Sequence, residues 1–251
     1  MKEQLLALII TLFLGLFIVV GAGIAFSVKK KDKFIDFALA LAFSVILMLL
    51  FTDMMPEAYE MLGMKYMYLF IIFVIVGVFL LRILDYFIPD HEEDAHMSKK
   101  KEKDNLAHIG IVSSIALVIH NVIEGMAIYS TSVSSLRSGA MIALGVGCHN
   151  IPLGMVIAST IYQNNKSKRK TLIFISGLML STFFGGLVMF FMNGAEVSEI
   201  FLGILLSLTI GMLIYICSNE LYPRIRRSKN TKMTVYGILF GIILIAVASV
   251  L

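Results

Sequence analysis

Two stretches of the chain repeat one another: "HNVIEGMAIYS" begins at His120 and "HNIPLGMVIAS" at His149, with six of eleven positions identical. Both lie inside strongly apolar runs, where an ionisable side chain costs ~3 kcal/mol or more to insert. In the first copy His120 and Glu124 stand at i and i+4, stacked on one helical face a turn apart, and Asn121 shares a face with Glu124 at i and i+3. The second copy keeps His149 and Asn150 but has Leu153 where the first has Glu124. Imidazole with carboxylate suits a borderline divalent cation such as Zn2+, Fe2+, Co2+ or Mn2+, and the asparagine carbonyls add hard, neutral ligands. Two neutral imidazoles and one carboxylate leave a dication only partly neutralised, which suits a site that must release its ion. The plainer alternative is interhelical glue, His120 bonded to Glu124 and His149 to Asn150. For one histidine that alternative would be preferred; two copies on neighbouring helices favour metal.

Backbone features of the same stretches point the same way. Pro152 has no N–H, so the carbonyl of Cys148 loses its helical partner and is free to face a cavity or a cation. Gly125 and Gly154 occupy matching places in the two copies and permit close helix approach, although ordinary small-residue packing explains the glycines equally well.

The elements that position these residues follow from hydropathy. The chain is 59% hydrophobic, with a mean hydropathy of +0.90, too apolar for an ordinary soluble domain. Runs of about 20 apolar residues predict eight membrane helices over 4–27, 35–60, 66–88, 106–130, 138–162, 170–193, 198–222 and 232–250. Barrel strands are shorter and alternate, so the expected fold class is all-α, a polytopic helical bundle forming a single transmembrane domain over 1–251. The first run is long enough to span and lacks a small-residue cleavage site, which argues against a signal peptide.

Basic residues sort to alternate loops. Lys29, Lys30, Lys31 and Lys33 follow the first helix; Lys99, Lys100, Lys101 and Lys103 the third; Lys166, Lys168, Arg169 and Lys170 the fifth; Arg224, Arg226, Arg227, Lys229 and Lys232 the seventh. The other side holds only Lys2, Lys65 and Arg137. This positive-inside pattern puts both termini outside and those four loops in the cytoplasm. It explains the net charge of +4 through topology and contact with anionic lipid, with no nucleic-acid partner. Cys148 and Cys217 fall within expected spans and do not form an extracellular disulfide framework.

Further polar residues sit near helix ends. "FTDMMPEAYE" places Asp53 and Glu57 around Pro56 near the outer end of helix two, and "SNELYPRI" places Asn219 and Glu220 before Pro223 near the inner end of helix seven. A polar group shortly before a proline, at opposite faces, suggests an entrance, an exit and an underlying repeat of antiparallel helices. Charge near an interface is also cheap on its own account. The cytoplasmic loop 89–105 carries His91 and His96 among acids and lysines; it could collect metal, though most of it reads as solvated linker.

The whole chain resembles the ZIP (Zrt-, Irt-like) family of metal transporters, in its bacterial form. The carrying motifs are "HNVIEG" and "HNIPLG", supported by "DMMPEA" and "NELYP". The resemblance implies movement of Zn2+, or of Fe2+, Mn2+, Co2+ or Cd2+, toward the cytoplasm through a multi-pass protein of the bacterial cytoplasmic membrane, without ATP. His120, Asn121 and Glu124 match the family's ligands on helix four, and His149 and Asn150 those on helix five. The likeness alone also raises a homodimer. Two positions depart: Leu153, where bacterial members place Glu, and "SGLMLSTFFGG", where Leu180 and Ser181 replace Glu and Pro.

Loss of two carboxylates disfavours two dications in one low-dielectric site, so a single ion is expected, held by His120, Glu124 and His149 with Asn121 and Asn150 adjacent. The expected mechanism is alternating access around this midplane site by relative movement of helix bundles. A non-transporting metal sensor or structural metal protein remains as an alternative. An intramembrane metal hydrolase is weaker, because H-E-x-x-H is missing and no separate general base accompanies the repeats. Because metal-bound imidazole must be neutral, zinc affinity should fall as pH drops through the ~5–8 window in which histidine takes up a proton; zinc titrations at a series of pH values check this.

Overall fold

The computed structural model describes residues 2–28, 31–87, 99–192, 198–228 and 230–248. Among them there is no strand, and eight helices are long and apolar enough to cross a membrane: Lys2–Ser27, Lys33–Leu62, Met64–Phe87, Gly110–Ser134, Leu136–Gln163, Lys168–Phe191, Glu199–Arg226 and Thr231–Ala248. These are the first to eighth spans below. The fourth lies within a longer helix, Lys99–Ser134, whose start falls inside the stretch expected to be a loop. His91 and His96 lie outside the described residues.

Local chemistry sets the breaks between spans. Gly63, at φ 61, divides the second from the third, a left-handed conformation that glycine adopts without a Cβ penalty. Ser135 and Ser167 cap the fifth and sixth spans, each side chain accepting from a backbone N–H three residues on, at 3.3 Å. The fifth span runs unbroken through Pro152.

The second and seventh spans are not uniform α-helices. Each opens into a π-helical turn, Leu50–Met54 and Ile216–Leu221 respectively. The N–H of Met55 donates to the carbonyl of Leu50, and that of Tyr222 to Cys217, each reaching back five residues. The cause is local: Pro56 and Pro223 follow directly, and a proline ring clashes with the carbonyl four residues before it while offering no N–H. Widening the turn relieves that clash.

Glycines show how the spans group. A Cβ on Gly125 would strike the backbone carbonyl of Thr182, one on Gly154 that of Ile18, one on Gly21 that of Ile151 and one on Gly185 that of Val122. These close approaches join the first, fourth, fifth and sixth spans. Further approaches join the third span to the seventh, Gly77 against Leu208 and Gly211 against Val74, and the second to the eighth, Gly237 against Phe37, while Gly203 of the seventh meets only side chains of the second, Leu62 and Met61. Between the two sets, Gly145 makes only an ordinary contact at 3.5 Å with Ala248. The first, fourth, fifth and sixth spans are thus locked backbone to backbone, and the other four form a second group of two such pairs, third with seventh and second with eighth.

Backbone carbonyls cannot retreat far, so Gly154→Ala should destabilise the protein by ~1–3 kcal/mol. Gly23→Ala, whose Cβ would have nothing within 4 Å, should stay within ~0.5 kcal/mol. Thermal unfolding of the two variants in one detergent distinguishes them.

Candidate metal centre

His120 and Glu124 project from the fourth span and His149 from the fifth, and both spans belong to the first helix group. The Nε2 of His149 lies 3.0 Å from Oε1 of Glu124, and the Nε2 of His120 lies 3.4 Å from the same oxygen. Ligand atoms of all three lie within 4.8 Å of one another, and among the described residues this is the one such group of three or more His, Cys, Asp or Glu. The imidazole rings stand 6.1 Å apart, centre to centre. Glu124 is the hub: its second oxygen, Oε2, accepts a hydrogen bond from Nδ2 of Asn150 at 3.4 Å. His149 therefore turns to Glu124 rather than to its neighbour Asn150, as the glue alternative would have had it.

The site is dry. His120, Asn121, His149 and Asn150 are all buried, and the Glu124 side chain is 10% exposed. Asn121 spends its amide on the carbonyl of Leu178 in the sixth span, at 3.3 Å. The carbonyl oxygens of Asn121 and Asn150 are both buried and accept no hydrogen bond. Buried acceptors are ordinarily satisfied, so these two are suited to a cation. Two imidazole nitrogens and a carboxylate oxygen provide three ligands of the kinds that bind zinc.

Other residues singled out in the sequence take distinct places. Asp53 is exposed and Glu57 half-buried, and both lie near enough to act electrostatically on the cluster. Asn219 and Glu220 stand at the opposite end, on the π-helical turn of the seventh span. Leu153 is buried in the apolar core. Leu180 is 47% exposed, whereas Ser181 is buried and donates to Leu178.

Sequence inspection missed a second polar pair: the hydroxyl of Tyr215 donates to Asp85 at 2.5 Å, tying the seventh span to the third. The signal was present in the form of an aspartate near the end of an apolar run. Also missed was Ser113, whose buried hydroxyl has no partner; a serine in a membrane helix gives no such warning from sequence.

Eight apolar helices without a strand among the described residues make this an integral, multi-pass membrane protein. A family model described as "ZIP Zinc transporter" matches residues 88–249. "Zinc transporter ZupT" of Oceanobacillus iheyensis is 30% identical over 100% of this chain and 99% of its own length. Its namesakes from Clostridium perfringens and Streptococcus mutans are 27% and 28% identical, covering 100% and 98% of the chain and 97% of their own lengths. The chain belongs to the ZIP family, a family of transporters rather than enzymes.

Because one carboxylate serves both imidazoles and an amide, Glu124→Gln should weaken zinc binding by more than ~100-fold, beyond the 10–100-fold typical of losing an outer partner of a metal ligand. Asn121→Ala should fall at or below that range. Calorimetric zinc titration of the two purified variants gives the comparison.

Proposed function

We propose that the chain carries a divalent transition-metal cation, zinc first among them, across the bacterial cytoplasmic membrane toward the cytoplasm, and that His120, Glu124 and His149 hold the ion midway. The observation that carries this reading is the convergence of those three ligand atoms within 4.8 Å in a buried place. The zinc transporters named among the relatives support the choice of ion. Fe2+, Mn2+, Co2+ and Cd2+ use the same ligand types and differ by geometry.

Lys33, Lys168, Arg169, Lys170, Arg224, Arg226, Arg227 and Lys232 all belong to one end of the bundle, taken as cytoplasmic by the positive-inside rule. Asp53 and Glu57 then lie on the outer approach, where their charge gathers cations, and Glu220 lies on the inner one. All eight spans form one transmembrane domain in this reading. The ligands sit on the first helix group, so movement of that group against the second carries the ion from one side to the other. The interface permits it, because none of the backbone interlocks described above crosses from the first group to the other four spans. A homodimer rests on the family likeness alone.

A single ion is transported at a time. Leu153 fills with hydrocarbon the place where the second repeat would supply a carboxylate. Two unit charges about 4 Å apart interact by roughly 4 kcal/mol at an effective dielectric of 20, and for two dications that repulsion is fourfold, with one carboxylate to offset it.

Zinc uptake into sealed proteoliposomes with an internal fluorescent indicator tests the reading. Saturable uptake should disappear in His120→Ala and in His149→Ala. Tight zinc binding without uptake by the wild type would instead identify a sensor or structural protein. Leu153→Glu should raise the bound zinc from one to two per chain, read by elemental analysis after gel filtration.

A further inference from the structure

The two π-helical turns are equivalent. Aligned on Pro56 and Pro223, the bond from Met55 to Leu50 superposes in register on that from Tyr222 to Cys217. Leu50 and Cys217 are buried, Asp53 and Glu220 each stand three residues before the proline, and Met54 and Leu221 are buried. Even the hydroxyl and amide side chains keep step: Thr52 donates to Met48 at 2.8 Å, and Asn219 to Tyr215 at 3.2 Å. The two turns face opposite ends of the membrane.

Their surroundings differ. The turn in the second span presents Asp53 at the surface, within electrostatic reach of the cluster. The turn in the seventh span presses Ile216 and Leu221 against a cavity of about 20 Å³ that also touches Leu117, Leu153, Ile157 and Ser113. On the fourth span Leu117 and Ser113 lie one and two turns from His120 toward the basic end. Leu153 and Ile157 hold the same place relative to His149 on the fifth. The cavity therefore lies between the cluster and the basic end. A space of that size holds at most one water, which needs two to four polar partners; Ser113 offers the only polar side chain there. An ion cannot pass such an apolar constriction while it stays dry.

We propose that the π-helical turn Ile216–Leu221 is the gate at the basic end, closed in this structure. Its extra residue is the hinge. An α-helix turns about 100° per residue, so moving the extra residue past Leu221 re-aims that side chain by about 100° and swings it out of the cavity without shifting the helix ends. Proline at 223 keeps a wide turn available at this point rather than elsewhere in the span. The equivalent turn at Asp53 serves the other mouth, so the two ends are built to the same plan and differ in what their turns face.

This inference rests on the transport reading above, and Cys217, buried in the turn itself, reports on it directly. In everted vesicles, whose basic end faces the bath, a Cys148→Ala variant is treated with a charged, membrane-impermeant maleimide while zinc flux is followed in parallel. A minor conformer is populated at ~0.1–10%, so zinc-driven turnover should speed Cys217 labelling by about tenfold or more. Right-side-out vesicles should show no acceleration. Leu221→Ser should label without zinc, with zinc binding at the cluster retained. Flux with labelling unmoved by zinc would overturn the gate and leave transport standing. Bound zinc with no flux would overturn transport and the gate with it.

Discussion

The carboxylate of Glu124 is the constraint on which the rest depends. An ionised carboxylate within a bilayer loses its hydration, and the loss is tolerable only if hydrogen-bond donors or a cation replace the water. Two imidazoles and one amide converge on it for that reason, and they come from two helices that must approach closely. Gly125 and Gly154 seat those two helices on their other neighbours, each against a backbone carbonyl of a further helix. Those carbonyls belong to Thr182 in the sixth span and Ile18 in the first, so satisfying one buried charge recruits four helices into a single locked group.

A group locked in this way can move only as a body. The third and seventh spans form one locked pair, to which Tyr215 hydrogen-bonded to Asp85 adds a polar tie, and the second and eighth form another. Between the sets lie leucines, isoleucines and alanines whose packing is non-directional and can be re-formed after a shift. Lipid contributes no hydrophobic drive between helices, so close backbone packing and buried polar bonds decide which pairs stay together. Both kinds of contact respect the same border.

The sequence reveals the eight spans readily, because length and hydropathy are one-dimensional quantities and the bilayer imposes both. It also brings His120 and Glu124 together, since the helical period puts i and i+4 on one face. That His149 would reach Glu124 rather than Asn150 is not legible: it depends on the angle and height at which two helices cross, which glycine contacts with two further helices determine. The π-helical turns are half legible. Pro56 and Pro223 announce a disturbance, but a kink, a break and a widened turn all satisfy a proline, and packing chooses among them. Ser113 is illegible altogether, since its interest lies in what it does not touch.

Two internal repeats divide the labour, and their differences say more than their likeness. In the repeat of the fourth and fifth spans the histidine and asparagine are kept and the carboxylate is not, so a single negative charge is shared by ligands from both copies. In the repeat of the second and seventh spans the acid, the buried aliphatic residue and the proline are all kept, and the two copies differ in what they face. A carrier needs both kinds of asymmetry: a central site too weakly charged to trap a dication, and two equivalent mouths that are never in the same state. The first asymmetry is written in a side chain, Leu153, and is permanent. The second lies in what the turns at Leu50–Met54 and Ile216–Leu221 face, and it can be changed without breaking a covalent bond or adding a charge to the membrane. Placing the fixed asymmetry in the ligands and the reversible one in the helices lets the ion's coordination stay the same while its route changes.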